Sequence, residues 1–112
     1  MKTEIKLKDL MSLERLLLEI DVKYKFELSF KDALKLYEYL KEVGKITNYF
    51  FLIQDEFHKK YNDIDKLKEY HNKIMVDEVE FDYKEIVDFI DNILASYGDE
   101  EFQKLLSTVK FW

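Results

Sequence analysis

Few side chains in this sequence are able to do chemistry, and the two histidines come first among them. His58 and His71 stand thirteen residues apart, with Asp55 just before the first. Imidazole nitrogens and a carboxylate are the donors of a divalent-metal site, and a helical hairpin would let the three converge. Zinc, however, takes three or four ligands at a recognisable spacing, and these residues have none. Ordinary surface or half-buried histidines are the expectation, with no metal and no cofactor. Nucleophilic catalysis needs a Ser, Thr or Cys beside an oriented base. Ser12, Ser29, Ser96 and Ser107 have no such motif around them, and cysteine is absent. A phosphate-binding loop needs clustered glycines, whereas Gly44 and Gly98 are isolated. The expected protein is not an enzyme.

Carboxylates are the more pronounced chemical feature. Glu78, Glu80 and Asp82 alternate with Val79 and Phe81, which in a strand would put all three acids on one face. Glu85, Asp88 and Asp91 carry the run onward. Such a row either meets a cation or a basic partner, or solvates the outer face of a strand and discourages edge pairing. From Val76 to Glu101 there are ten acids and one base, a net −9; the remainder has seventeen bases and fourteen acids, a net +3. A charge divided in this way tends to polarise the surface. The six acids are therefore the candidate partner-binding face. Lys23-Tyr24-Lys25-Phe26 mixes bases with aromatics as single-strand binders do. In a strand the two types would point to opposite faces, and the net charge of −6 opposes phosphate binding. No direct nucleic-acid binding is expected.

The elements that position these groups follow from periodicity. Leu36, Tyr39, Val43, Ile46, Phe50, Ile53 and Phe57 recur at 3-4 spacing, which predicts one long helix from Phe30 to about Tyr61 with this seam buried. Ser29 is its expected N-cap with Asp32 at the third position, Gly44 is expected to continue it, and Asn62-Asp63 to end it. Ile5 and Leu7 alternate with charges as a short strand would. Leu10, Leu13, Leu17 and Ile20 predict a helix over about 9–20, with Asp9 or Ser12 as cap. Val22, Tyr24, Phe26 and Leu28 alternate with charge and predict a second strand. Ile64, Leu67, His71 and Ile74 share a helical face. A strand through Val79, Phe81 and Tyr83 follows, then a helix with Ile86, Ile90, Ile93 and Tyr97, stopped by Gly98. A last helix behind Asp99 would turn Phe102, Leu105, Leu106 and Val109 inward.

The fold class expected is α+β, mainly α: a long central helix packed with shorter helices and a two- or three-stranded antiparallel sheet, in one domain over 1–112. A hydrophobic fraction of 47 %, with nine Phe, eight Tyr and one Trp, suffices for a core and excludes disorder. Around the seam, Tyr49, Phe50, Phe51, Leu52 and Ile53 cover the whole circumference of the helix. Such a turn is either buried on all sides or exposes a patch that seeks a partner. Tyr49, Phe51 and Leu52 are the candidate apolar interface, open to a homodimer. Charges within Met1-Lys2-Thr3-Glu4-Ile5-Lys6 stand where a signal peptide needs an apolar run. No stretch reaches the roughly 20 apolar residues that span a bilayer. A cytoplasmic protein without membrane contact is the expectation.

Three segments carry a resemblance. Ile5-Lys6-Leu7-Lys8-Asp9-Leu10 leads into a Leu-rich helix, a long Lys/Glu-rich helix ends in His58-Lys59-Lys60-Tyr61, and Asp77-Glu78-Val79-Glu80-Phe81-Asp82 precedes a final helical region. In this order of elements the chain resembles an uncharacterised family of small proteins encoded by phages and prophages of low-GC Gram-positive bacteria. The family has no assigned catalytic or binding residues to carry over. The resemblance implies a non-enzymatic accessory protein that binds and inhibits a host protein. Some inhibitors of nucleic-acid-cutting defence systems, of the anti-CRISPR kind, present acidic surfaces to a basic channel. Competing with this reading are a self-associating structural or assembly accessory and a small metal-dependent enzyme built on the carboxylates and histidines.

Overall fold

The computed structural model describes residues 3–97 and the positions 100, 103 and 104. The helix expected behind Asp99, with Phe102, Leu105, Leu106 and Val109, lies outside the described residues. In chain order the elements are β1 (Glu4–Lys6), α1 (Leu7–Tyr24), a 3-10 turn (Lys25–Glu27), α2 (Phe30–Tyr61), α3 (Ile64–Met75), β2 (Glu78–Glu80) and α4 (Lys84–Tyr97). The class is α+β and mainly α, as expected, and the sheet has two antiparallel strands.

α2 is the scaffold. Its 32 residues extend over about 48 Å at 1.5 Å per residue. It begins as the sequence predicts: the Asp32 amide donates to Ser29 Oγ at 3.2 Å, satisfying one of the orphan donors of the first turn. It continues through Gly44 and ends at Asn62, which takes the left-handed conformation (φ 46°) and donates its amide to the His58 carbonyl at 2.8 Å. Asp63 then caps α3, its Oδ1 accepting from the amides of Asp65 and Lys66.

The core lies where α1 and α4 meet α2. Leu10, Leu13, Leu16, Leu17 and Ile20 of α1 are fully buried, and Leu36, Val43 and Phe50 of α2 face them together with Ile86, Ile90 and Ile93 of α4. Each such side chain contributes about 1.5–3 kcal/mol by leaving water. Among the described residues, Thr47 is the one polar side chain buried here. Its hydroxyl donates to Glu14 Oε2 on α1 at 2.7 Å.

Four expectations are corrected. Residues 22–28 do not form a strand: α1 runs on to Tyr24, because Leu17, Ile20 and Tyr24 keep helical phase on the buried face. Of the alternating set Tyr24 is buried, in the helical phase of α1, and Leu28 is half-buried, whereas Val22 and Phe26 are exposed, so the alternation defines no buried face. The helix expected over about 9–20 also starts earlier, at Leu7, with no side-chain cap from Asp9 or Ser12. Its first amide is instead tied to the Asp77 carbonyl beside β2 at 3.0 Å. β2 stops at Glu80, leaving Phe81, Asp82 and Tyr83 outside the strand. Finally, Ile46, Ile53 and Phe57 are only half-buried, since α3 is a short amphipathic cover with no fully buried residue of its own. Phe57 stacks on Tyr70 with ring centroids 4.4 Å apart, which shields one side of it.

Candidate functional site

The two strands place carboxylates together. In the ladder Glu4 is opposite Glu80, Ile5 opposite Val79, and Lys6 opposite Glu78. Since side chains alternate, Ile5 and Val79 turn toward the core, and Glu4, Lys6, Glu78 and Glu80 turn out. All four of these outward residues are exposed. Like charges directly opposite one another destabilise a strand pair, and here Glu4 faces Glu80 and hydrogen-bonds Glu78. The bond to Glu78, followed by its negative charge, pushes the Glu4 carboxyl above its ordinary 4.5.

The remaining acids lie in three places. Asp82 is exposed in the segment between β2 and α4. Glu85 and Asp88, on the first turns of α4, border a polar pocket of about 250 Å³ with Asp32, Lys35 and Tyr39 of α2. Tyr39 donates its hydroxyl to Glu85 Oε1 at 2.9 Å. Burial, then this bond and the neighbouring carboxylate charge, push the Tyr39 phenol up to about 12. Glu85 therefore has a structural partner as well as an exposed edge. Asp91, two positions before the buried Ile93, is exposed at the back of α4. The six acids of the expected partner-binding face are all exposed, but of the three expected on one strand face only Glu78 and Glu80 share it; Asp82 lies beyond β2, Glu85 and Asp88 border the groove with α2, and Asp91 is exposed on α4. Glu4 was missed. Its alternation with Ile5 was visible, but its cross-strand partner depends on a pairing more than seventy residues away.

The histidines do not converge. His71 Nδ1 is 2.6 Å from Gln54 Oε1 and its ring lies against Phe50, 5.6 Å between centroids. Asp55 is paired with Lys59 Nζ at 2.9 Å, one helical turn away. Among the described residues no three His, Asp or Glu side chains gather as a metal site.

The apolar candidates also separate. Tyr49, Phe51 and Leu52 are each more than half exposed, so the turn they belong to is fully buried at Phe50 alone and half-buried at Ile53. Tyr49 lines an apolar pocket of about 180 Å³ between α2, α3 and β2, with Leu7, Ile53, Tyr70 and Ile74. Phe51 instead leans edge-on against Phe50. A larger exposed apolar set went unread in the sequence: Val22, Phe26 and Phe30 at the α1–α2 turn. Val22 and Phe26 alternate with charge as strand residues would, but that strand does not form.

No protein-family model matches the chain, and no curated protein or solved structure matches it. No helix among the described residues is long and apolar enough to cross a membrane.

Proposed function

We propose that this chain is a non-enzymatic accessory protein that binds another protein through its acidic face, with the sheet cluster of Glu4, Glu78 and Glu80 at its centre. The observation carrying this reading is the Glu4–Glu80 pairing. A sheet selected only for stability gains by opposing unlike charges, as Lys6 and Glu78 do two residues along the same ladder. Retaining carboxylates that repel one another is a cost to the fold, and attraction to a basic surface offsets it on binding. Asp82 and the exposed edge of Glu85, with Asp88 and Asp91, extend the negative field along α4. The partner class is a protein with a basic surface, such as the nucleic-acid channel of a defence nuclease. Inhibition of a host protein in the cytoplasm, by a phage-type protein of the anti-CRISPR kind, is the form that the sequence resemblance suggests.

The test is a binding titration across ionic strength. Immobilised wild-type protein captures its partner from a Gram-positive host extract at low salt, and the captured protein is titrated against wild type and against the Glu80→Lys/Asp88→Lys double reversal. Exposed carboxylates contribute little to folding, so the reversal leaves the circular dichroism spectrum unchanged. Association slows by about tenfold or more and loses most of its salt dependence. Equal affinity of both proteins at low salt overturns the reading.

A further inference from the structure

α1 and α2 form an antiparallel hairpin whose seam is marked by the Thr47–Glu14 hydrogen bond. α4 covers one side of that seam: Phe89 packs edge-on against Tyr39 at 5.3 Å between centroids, and the core of α1 faces Ile86 and Ile90. On the opposite side, at the turn end of the hairpin, lie Leu18 and Val22 of α1, Phe26 of the 3-10 turn, and Phe30, Leu34 and Tyr37 of α2. At about 100° per residue, each helix turns these residues past the seam in the direction away from α4, so both rows belong to one face. Phe26, Phe30 and Val22 are 96, 82 and 80 % exposed, and the other three roughly half.

The size of this face decides what it is for. With about 150–250 Å² for a fully exposed aromatic side chain, the six residues together present on the order of 700 Å². The largest apolar patch on a typical monomer is about 300–600 Å², whereas a standard interface takes about 800 Å² from each partner. One copy thus offers almost the whole of its share of an interface. Charge narrows the occupant. Residues 18–38 contain five acids and four bases, a net of −1, in a chain of net −6. A stretch so nearly neutral favours no strongly charged partner and lets two identical surfaces approach with little repulsion.

We infer that this face is a homodimer interface, in which the turn end of one α1–α2 hairpin packs on the same surface of a second copy across a two-fold axis. Such an isologous contact needs a self-complementary patch, and a two-helix face rich in aromatics against its own copy makes a four-helix layer. Phe26 and Phe30 are the anchors, with Val22 and Tyr37 beside them. The interface is separate from the acidic sheet face, so one dimer presents two acidic faces.

Sedimentation of the full chain over a range of concentrations tests this. Wild type is expected to shift from monomer to dimer as concentration rises. Phe26→Glu/Phe30→Glu weakens that association about 30-fold or more, as loss of interface aromatics does, without loss of helicity. Phe51→Glu leaves it unchanged. Because the chain has no cysteine, a Val22→Cys variant in an otherwise native chain gives a second reading: a short bifunctional thiol reagent cross-links two copies at dimer concentrations. That result decides the matter if the double variant fails to fold. A monomer at all concentrations with no cross-link overturns the inference. So does a monomer that Phe26→Glu destabilises, which would assign the face to an intramolecular cover. Dissociation by Phe51→Glu rather than by the turn variants would move the interface to the middle of α2.

Discussion

Thr47→Val isolates a polar contact within the α1–α2 seam. The substitution preserves shape, so no cavity opens; what is lost is the hydroxyl that donates to Glu14 Oε2 at 2.7 Å. A hydrogen bond to a charged group is worth about 1.5–3 kcal/mol. Two features of the site move the expected cost to the lower part of that range. Glu14 is only half-buried, so water can solvate the carboxylate once its donor is gone. The hydroxyl also lies 3.3 Å from the Val43 carbonyl, an interaction within the helix whose loss costs little because that carbonyl already accepts in the helix ladder. Thr and Val have similar helix propensities, so the backbone contributes nothing to the difference. The result is a destabilisation of about 1–2 kcal/mol, which lowers the melting temperature by about 5–10 °C in a domain of this size. The assay is thermal and urea unfolding followed by circular dichroism, run as a double-mutant cycle with Glu14→Ala. Removing either partner should cost a similar amount, and removing the second after the first should add little, giving a coupling of about 1 kcal/mol. A Thr47→Val protein as stable as wild type, with Glu14→Ala purely additive, would refute the contact and with it the register assigned to the hairpin.

Phe50→Ala should cost about 3 kcal/mol, the low end of the range for a buried Phe because the ring already borders a pocket; an unfolding midpoint within a degree or two of wild type would remove Phe50 from the core. Gly44→Ala should stabilise by up to about 1 kcal/mol, since the added methyl meets only Asn48 Nδ2 at 3.9 Å; a loss of stability would mean that the helix bends there. Glu4→Gln should raise the melting temperature at pH 7, where the charged carboxylate opposes folding beside Glu78 and Glu80. The folded-state value of Glu4 is raised, so its proton stabilises the fold below the ordinary 4.5 and that contribution is lost as pH rises through the folded value. The advantage of Gln should therefore close as pH falls below 4.5; a difference constant from pH 3 to 7 would contradict the repulsion.

Much of the architecture rests on interactions between residues close in sequence, and these were legible without the fold. Ser29 and Asp32 begin α2 because capping is a contact across three residues. The phase of Leu36, Tyr39, Val43 and Phe50 holds through Gly44 because periodicity is a property of the helix itself, and Asn62-Asp63 ends that helix within a single turn. The alternation of Val22, Tyr24, Phe26 and Leu28 was equally local and misled, since a strand also requires a partner and a face to bury. The helical phase of α1 had both, and Tyr24 followed Ile20 into the core. Whether Ile46, Ile53 and Phe57 would be covered depended on how much surface the short α3 could close over. The features that bear on function were decided at the same tertiary level. Glu4 opposes Glu80, Thr47 finds Glu14, and Glu85 finds Tyr39 across 76, 33 and 46 residues respectively. Phe26 and Phe30 are left in solvent because α4 covers the other side of the hairpin. A spacing along the chain specifies which face of a helix or strand a residue occupies; only packing specifies what stands opposite that face, and for these pairs the opposing group is the origin of the chemistry.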